Sequence, residues 1–411
     1  MKSWIRPLLT RQNLARECGE GVLVALAFSA FIYMAHWGVE LPWLNTLLGL
    51  GALWGLLTRR ARTLLFAGFF IGLFWFYWIG FSFRYYGMAW AVPFVSLGFG
   101  VIYGTLFGLI GLGRRPWLRA LLLFGLTYFE PFDFNWLVPE LLFLSSAFGV
   151  EKWHFALILA ALALFASMRG PLRFAPLLLL LGALDGSHPE KPMPPLAIKT
   201  VETRLPQDLK WLPSERPRIV AENFAAIDRA AAEGYDMVIL SESAFPMFLN
   251  MQPEVLERLM EHSYEIAIVT GALYFEEGRN YNVTYLFDHG RVTVAKKMVL
   301  VPFGEYIPLP EFLHRIINDT IFDGASDYVS ASEPTDFQVK GTDFRNAVCY
   351  EATCEELYRG EPKYMIAVSN NAWFTPSIEP TLQRLLMRYY AKKHNTLIIH
   401  VANMGGSGII R

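Results

Sequence analysis

Hydrophobic positions run almost unbroken through the first part of the chain and alternate with polar ones through the rest, and the change falls at about residue 190. Ahead of that point, apolar segments lie at roughly 21–37, 41–57, 63–83, 88–112, 118–138, 153–168 and 172–186. They predict a seven-span α-helical membrane bundle over 1–186, although several are shorter than the ~20 residues that cross a bilayer comfortably. The fifth contains Phe129, Glu130, Pro131, Asp133 and Trp136 close together. That mixture suits a re-entrant or interfacial segment as well as a helix.

The stretch 187–195 is polar and proline-rich, the composition of a linker. Beyond it, from residue 196 to 411, the pattern is that of a layered α/β domain. Short apolar or alternating runs at 196–201, 236–240, 266–270, 282–287, 292–295, 346–349, 364–368 and 396–401 predict strands. Amphipathic stretches at 220–233 and 381–394 predict helices. The turn at Asp288, His289 and Gly290 predicts a hairpin.

The chain has 411 residues, 54% of them hydrophobic, with a formal net charge of −1. No global field argues for a nucleic-acid partner, and the basic residues matter by position. With the N-terminus inside, the cytoplasmic segments hold Lys2, Arg6, Arg11, Arg16, Arg59, Arg60, Arg62, Arg114, Arg115, Arg119, Arg169 and Arg173, against Arg84 and Lys152 on the opposite side. The positive-inside rule then places everything after Asp185 outside the cytoplasm. The first apolar segment lacks a small-residue cleavage site after it and reads as an uncleaved anchor. The three cysteines, Cys18, Cys349 and Cys354, give no disulfide framework. No metal-ligand spacing, phosphate loop or nucleotide fingerprint occurs, so neither metal nor cofactor is implied.

The candidate chemistry sits where predicted strands end, the place at which α/β folds expose side chains to ligands. Cys349 closes an apolar strand ahead of an acidic segment, Tyr350 to Tyr358, that reads as a helix start; a thiol there feels the positive end of the helix dipole, which favours its thiolate. Its ordinary reading is a small buried hydrophobe. Glu242 ends the run Val238-Ile239-Leu240-Ser241, where it is either a base or an ordinary strand-end carboxylate. Lys297 follows a strand and is either a solvated edge lysine or a cation for which the Pro302-Phe303-Gly304-Glu305 turn brings Glu305 back as a partner. Cys354 reads as packed, and His400, in an apolar run, as a core histidine rather than a catalytic one. Cys18 lies on the wrong side of the membrane. Residues 307–340 show little periodicity and are long for a structureless connection, which suggests that part of them is a mobile lid over the site at the membrane surface.

Four ordered motifs carry a resemblance: Leu240-Ser241-Glu242-Ser243-Ala244-Phe245-Pro246, Lys297 through Pro302-Phe303-Gly304-Glu305-Tyr306-Ile307-Pro308, Val348-Cys349-Tyr350-Glu351, and Ser369-Asn370-Asn371-Ala372-Trp373-Phe374. Together they resemble the nitrilase (carbon–nitrogen hydrolase) superfamily, and within it the apolipoprotein N-acyltransferase family. The aromatic stretch Phe74 to Ser82 and the membrane bundle extend the likeness over nearly the whole chain. The resemblance implies an αββα sandwich with Glu242 as general base, Lys297 as oxyanion stabiliser and Cys349 as nucleophile. It implies supporting roles for Glu305, Tyr350 and Glu351, and a substrate-binding role for Trp211. It further implies a phospholipid acyl donor, a diacylglyceryl-cysteine lipoprotein acceptor, a Cys349 thioester, and a multi-pass location in the bacterial inner membrane with a periplasmic catalytic domain. The chain departs from the family pattern at Leu240-Ser241, where Trp-Pro is usual, at Asn371, where Asp is common, and at Ala295, where Tyr is common. The family also continues with further strands and a membrane helix beyond the position of Arg411. A membrane-anchored nitrilase-like amidohydrolase using the same triad, and an inactive membrane scaffold, are the alternative readings.

Overall fold

The computed structural model describes residues 11–186, 191–306 and 328–411. They form two compact units. One takes in the described residues through Glu130 together with Leu137 to Gly186; the other takes in Pro131–Trp136 and the described residues from Lys191 onward. The division near residue 187 is where the hydrophobic pattern changes. The assignment of Pro131–Trp136 to the second unit has no counterpart in that pattern.

The first unit consists of α1 (Arg11–His36), α2 (Pro42–Thr58), α3 (Ala61–Phe76), α4 (Val92–Gly111), α5 (Pro116–Leu126), α6 (Lys152–Ser167) and α7 (Leu179–Gly182), joined by shorter 3₁₀ turns. Among the described residues, Asn13–His36, Ala61–Tyr86 and Ala89–Gly111 are long and apolar enough to cross a membrane. Pro116–Leu126, Lys152–Ser167 and Pro171–Gly182 are apolar but shorter. The segment expected at 118–138 is helical only as far as Leu126, and Pro131 restricts the backbone just before it. α3 and α4 approach closely on glycine: a Cβ on Gly68 would lie 2.4 Å from the Tyr103 carbonyl oxygen, and one on Gly72 2.5 Å from that of Phe99. Large apolar side chains such as Leu23, Leu47, Phe94, Val101 and Leu121 are exposed, as lipid-facing surface requires.

The second unit contains two sheets. β1 (Ile198–Val201), β2 (Met237–Leu240), β4 (Ala267–Glu276), β5 (Arg279–Asp288) and β6 (Arg291–Lys296) lie side by side in that order, with β3 (Phe245–Phe248) also paired to β4. The other sheet runs β11 (Gly408–Ile410), β10 (Leu397–Asn403), β9 (Tyr364–Asn370), β8 (Thr342–Val348), β7 (Asp336–Val339). β1, β2 and β4 are parallel, as are β3 with β4 and β8, β9 and β10, and the remaining pairings are antiparallel.

The two-residue period of a strand sorts the side chains between layers. Met237 and Ile239 of β2 join Val348, Ile366, Val368, Ile399 and Val401 in a core between the sheets. Val238 and Leu240 face the other way, with Phe224, Ile227 and Ala230 of α9 (Arg216–Ala232) and Leu259 of α10 (Pro253–His262). α11 (Glu379–His394) buries Leu382 and Leu386 and meets β10 and β11 of the second sheet. The result is the expected αββα sandwich. β3, β7, β11 and α10, which sequence periodicity did not reveal, are at most ten residues long. Of the stretch expected to be a lid, residues 307–327 lie outside the described residues, whereas Val329 N–H donates to the Asn280 carbonyl, Ala331 N–H to that of Lys297, and 336–339 form β7.

Candidate active site

Three strand ends converge. β2 runs into Glu242, which is 8% exposed. The turn that carries it rests directly on β4: a Cβ on Gly271 would lie 2.6 Å from Glu242 Cα and 2.5 Å from Ser243 N, so only glycine lets the two backbones approach. Ser243 itself adopts a left-handed φ of 47°.

β6 runs into Lys297, which is 1% exposed. Its Nζ lies 2.7 Å from Oε2 of Glu305, delivered by the turn after Val301 as the motif suggested. Burial alone would lower the lysine's pKa, but Glu305, then Cys349, Glu242 and Glu351, reverse this and raise it. The acidic surroundings of Lys297 therefore favour its charged form. Its ammonium has no well-aligned hydrogen bond among the described residues, which leaves N–H bonds for an incoming oxyanion.

β8 ends at Val348, one residue earlier than the alternation suggested, and Cys349 occupies the tight turn that follows with φ 55°. A left-handed non-glycine residue is strained, and such strain collects at functional sites. The expected helix start is only a 3₁₀ turn, Cys349–Thr353. The expectation of a dipole-favoured thiolate is thus corrected. Burial first, then Glu242, push the Cys349 thiol well above its usual range, and Lys297 opposes them. Burial and the neighbouring carboxylates thus favour the thiol form of Cys349 over the thiolate.

Glu351 ties the turn to its surroundings. One carboxylate oxygen accepts the Val348 N–H at 2.7 Å, and the other accepts those of Met298 and, at 3.1 Å, Val299. Burial pushes this carboxyl up to about 7, against Lys297 and the three N–H groups. Tyr350 joins the same turn to Pro131–Trp136. Its ring stacks on Phe134 at 5.9 Å and Trp136 at 6.2 Å, and its hydroxyl donates to the Asp133 carbonyl at 3.2 Å. The indole N–H of Trp136 donates to Thr353 Oγ1 at 2.8 Å, so Pro131–Trp136 backs the Cys349 turn.

Sequence reasoning did not find Asn282, Lys210, Glu379 or Gln383. Nδ2 of Asn282 donates to Glu242 at 2.8 Å and to Glu305 at 2.9 Å, one amide bridging two carboxylates. Lys210, at the end of α8 (Gln207–Lys210), is 2% exposed and donates from Nζ to the Glu242 carbonyl at 2.8 Å. Burial lowers its pKa to about 8, with Glu242 and Cys349 working against that. Nε2 of Gln383 lies 3.6 Å from Cys349 Sγ, and Glu379 is buried one turn earlier on α11. A polar residue at a buried register, as with Asn282 inside β5 and Glu379 and Gln383 beside Leu382 and Leu386, was the available signal.

Trp211 is not part of this cluster. It follows Lys210, stands 38% exposed and makes no hydrogen bond to the three strand-end residues among the described ones. Asn371 donates to the Gly405 carbonyl at 2.9 Å. His400 is a core histidine, held by Ser369 at 2.8 Å and Gly406 at 2.9 Å, and burial lowers its pKa to about 4. Cys354 is packed and buried, and all three cysteines are free. Among the described residues no group of metal-ligating side chains occurs. A thiol, a carboxylate and a fixed ammonium can form and resolve an acyl-sulfur bond.

Residues 15–186 match the family model of the apolipoprotein N-acyltransferase integral membrane domain, and residues 208–411 match that of carbon–nitrogen hydrolases. The chain is 47% identical to an apolipoprotein N-acyltransferase of Wolinella succinogenes over 96% of each chain. It is 37% identical to that of Helicobacter hepaticus, over 92% of this chain and 98% of the relative. With that of Helicobacter pylori the identity is 36%, over 99% and 97%. Strand-end cysteine, glutamate and lysine in an αββα sandwich, joined to an apolar helical unit and matched along nearly its whole length by these relatives, make this chain a member of the apolipoprotein N-acyltransferase family.

Proposed function

We propose that this membrane enzyme transfers an acyl chain from a phospholipid to the α-amine of the diacylglyceryl-cysteine that begins a bacterial lipoprotein, through a thioester on Cys349. The observation that carries the reading is the buried Lys297–Glu305 pair beside Glu242 and the Cys349 turn. It supplies a positive charge where a tetrahedral oxyanion forms.

In the first half-reaction Glu242 takes the Sγ proton of Cys349, and the thiolate attacks the ester carbonyl carbon. The oxyanion is stabilised by the Lys297 ammonium. The carbon–oxygen bond breaks, Glu242 returns the proton to the leaving oxygen, and the lysophospholipid departs. In the second half-reaction the amine nitrogen attacks the thioester and the carbon–sulfur bond breaks. The proton lost by nitrogen passes through Glu242 to the sulfur. An amine competes with water at such a site when water is excluded.

Glu305 keeps Lys297 charged, Glu351 and Tyr350 shape the nucleophile turn, and the substrate-binding role of Trp211, 38% exposed, follows from the family resemblance alone. The loop distribution of Lys and Arg supports a multi-pass inner-membrane protein with the catalytic unit periplasmic, and the seven apolar segments support seven crossings.

Intact and peptide mass spectrometry after incubation with phospholipid tests the scheme. A hydroxylamine-labile acyl group on Cys349, absent in Cys349→Ala and passed to the amine of an added diacylated lipopeptide, is the expected result. An adduct that turns over only to water would replace acyl transfer by hydrolysis, and no adduct would sink the thioester.

A further inference from the structure

α11 presents two oxygen acceptors that no described residue satisfies. Oε2 of Glu379 and Oε1 of Gln383 are buried without a hydrogen-bond partner among the described residues. Their side chains are 1% and 0% exposed. Four residues apart, they lie one above the other on the same helix face. That face meets the reacting sulfur, because Gln383 Nε2 lies 3.6 Å from Cys349 Sγ and the free oxygen belongs to the same planar amide. Glu379 is close to the same centre: burial first, then Glu242, push its carboxyl well above the usual range, and Glu379 in turn raises the Cys349 thiol.

Buried acceptors left empty are unfavourable unless water or a ligand brings donors to them. A phosphate would bring further acceptors and negative charge to a place already holding the Glu242 and Glu305 carboxylates. A primary amine brings two or three N–H bonds and suits both oxygens. We propose that Glu379 and Gln383 form the subsite for the acceptor's α-amine, with Glu379 Oε2 and Gln383 Oε1 accepting its N–H bonds beside the Cys349 thioester. The proposal rests on the acyl-transfer reading above and assigns a place to its second substrate. The amine reacts as the free base; its nitrogen forms the bond to the acyl carbon as the carbon–sulfur bond breaks, and the proton follows the Glu242 route already given. Glu379 and Gln383 hold the nitrogen and exchange no atoms with it.

A phospholipid with an ethanolamine headgroup also carries a primary amine, so the test separates the two sources. Full-length protein in detergent is acylated from phosphatidylglycerol or from phosphatidylethanolamine, and a diacylated lipopeptide with a free α-amine is then added. Intact mass spectrometry times each half-reaction for the wild type, Glu379→Gln, Glu379→Asp and Gln383→Leu. The expected result is that transfer slows at least tenfold more than acylation in Glu379→Gln and Gln383→Leu, with a raised half-saturating lipopeptide concentration and partial recovery in Glu379→Asp. Equal slowing of both half-reactions, or none, would overturn the proposal. So would slowed acylation from phosphatidylethanolamine alone, which would assign the subsite to the donor headgroup. A wild type that forms no acyl-enzyme with either lipid would overturn the acyl-transfer reading itself, and the subsite with it.

Discussion

Nζ of Lys297 and Oε2 of Glu305 lie 2.7 Å apart, with the lysine 1% and the glutamate 11% exposed. The pair joins the end of β6 to the turn after Val301, and Glu305 also accepts the Val301 N–H at 2.9 Å. Removing one partner leaves a buried ammonium uncompensated, which typically costs about 3–5 kcal/mol. Glu305→Ala is therefore expected to lower the unfolding midpoint strongly. Glu305→Gln keeps the shape but weakens the lysine's charge, and should slow acyl-enzyme formation about 100-fold, the usual effect of losing one oxyanion stabiliser. Thermal melts and single-turnover acylation check the two separately.

Asn282 serves Glu242 and Glu305 with one amide. Asn282→Ala should remove the bridge and cost about 1–3 kcal/mol through unpaired buried acceptors. Asn282→Asp should be worse, because a third carboxylate would face the other two. If the Asp variant acylated faster than the Ala variant, the bridging role would be wrong.

Gly271 lets the Glu242 turn lie on β4. In Gly271→Ala the new methyl has backbone as its neighbour, so the turn must move. The expected outcome is about 1–3 kcal/mol of lost stability, the range for overpacking, together with a larger loss of acylation than a neutral buried substitution of equal stability shows. Comparing melting temperature with acylation rate across such a set decides it.

Lys210 ties pH to stability. Its folded pKa is lowered from 10.5 to about 8. Between those values the unfolded chain binds more protons, so this residue's contribution to stability rises as pH climbs through the window. Melting temperatures measured from pH 7.5 to 9.5 should rise less in Lys210→Met than in the wild type. A steeper rise in the variant would contradict the assignment.

The Trp136 indole N–H to Thr353 bond ties Pro131–Trp136 to the Cys349 turn. Trp136→Phe keeps the ring near Tyr350 and loses the hydrogen bond, for an expected loss of about 0.5–1.5 kcal/mol. Trp136→Ala should lose about 3–5 kcal/mol and loosen the Cys349 turn. Hydrogen exchange at residues 349–353 reads that loosening directly.

By itself the sequence determined the membrane and α/β halves, the strands that hold the inter-sheet core, and the three strand-end residues. Apolar runs and period-2 alternation respond to burial, and burial is written locally in residue type. The Pro302-Phe303-Gly304-Glu305 turn likewise foretold the Lys297 partner, because a short turn fixes which neighbours meet. Tertiary structure alone decided the rest. Whether Cys349 rests as thiol or thiolate depends on its burial, on Glu242 and on Lys297, which come from three different strand ends. The amide bridge of Asn282, the lysine behind Glu242 and the unsatisfied oxygens of α11 join residues distant in the chain. So does the insertion of Pro131–Trp136, apolar enough to pass for part of a membrane segment, beside Tyr350. Charges, hydrogen bonds and desolvation act through space over a few ångströms, and only the folded chain sets those distances.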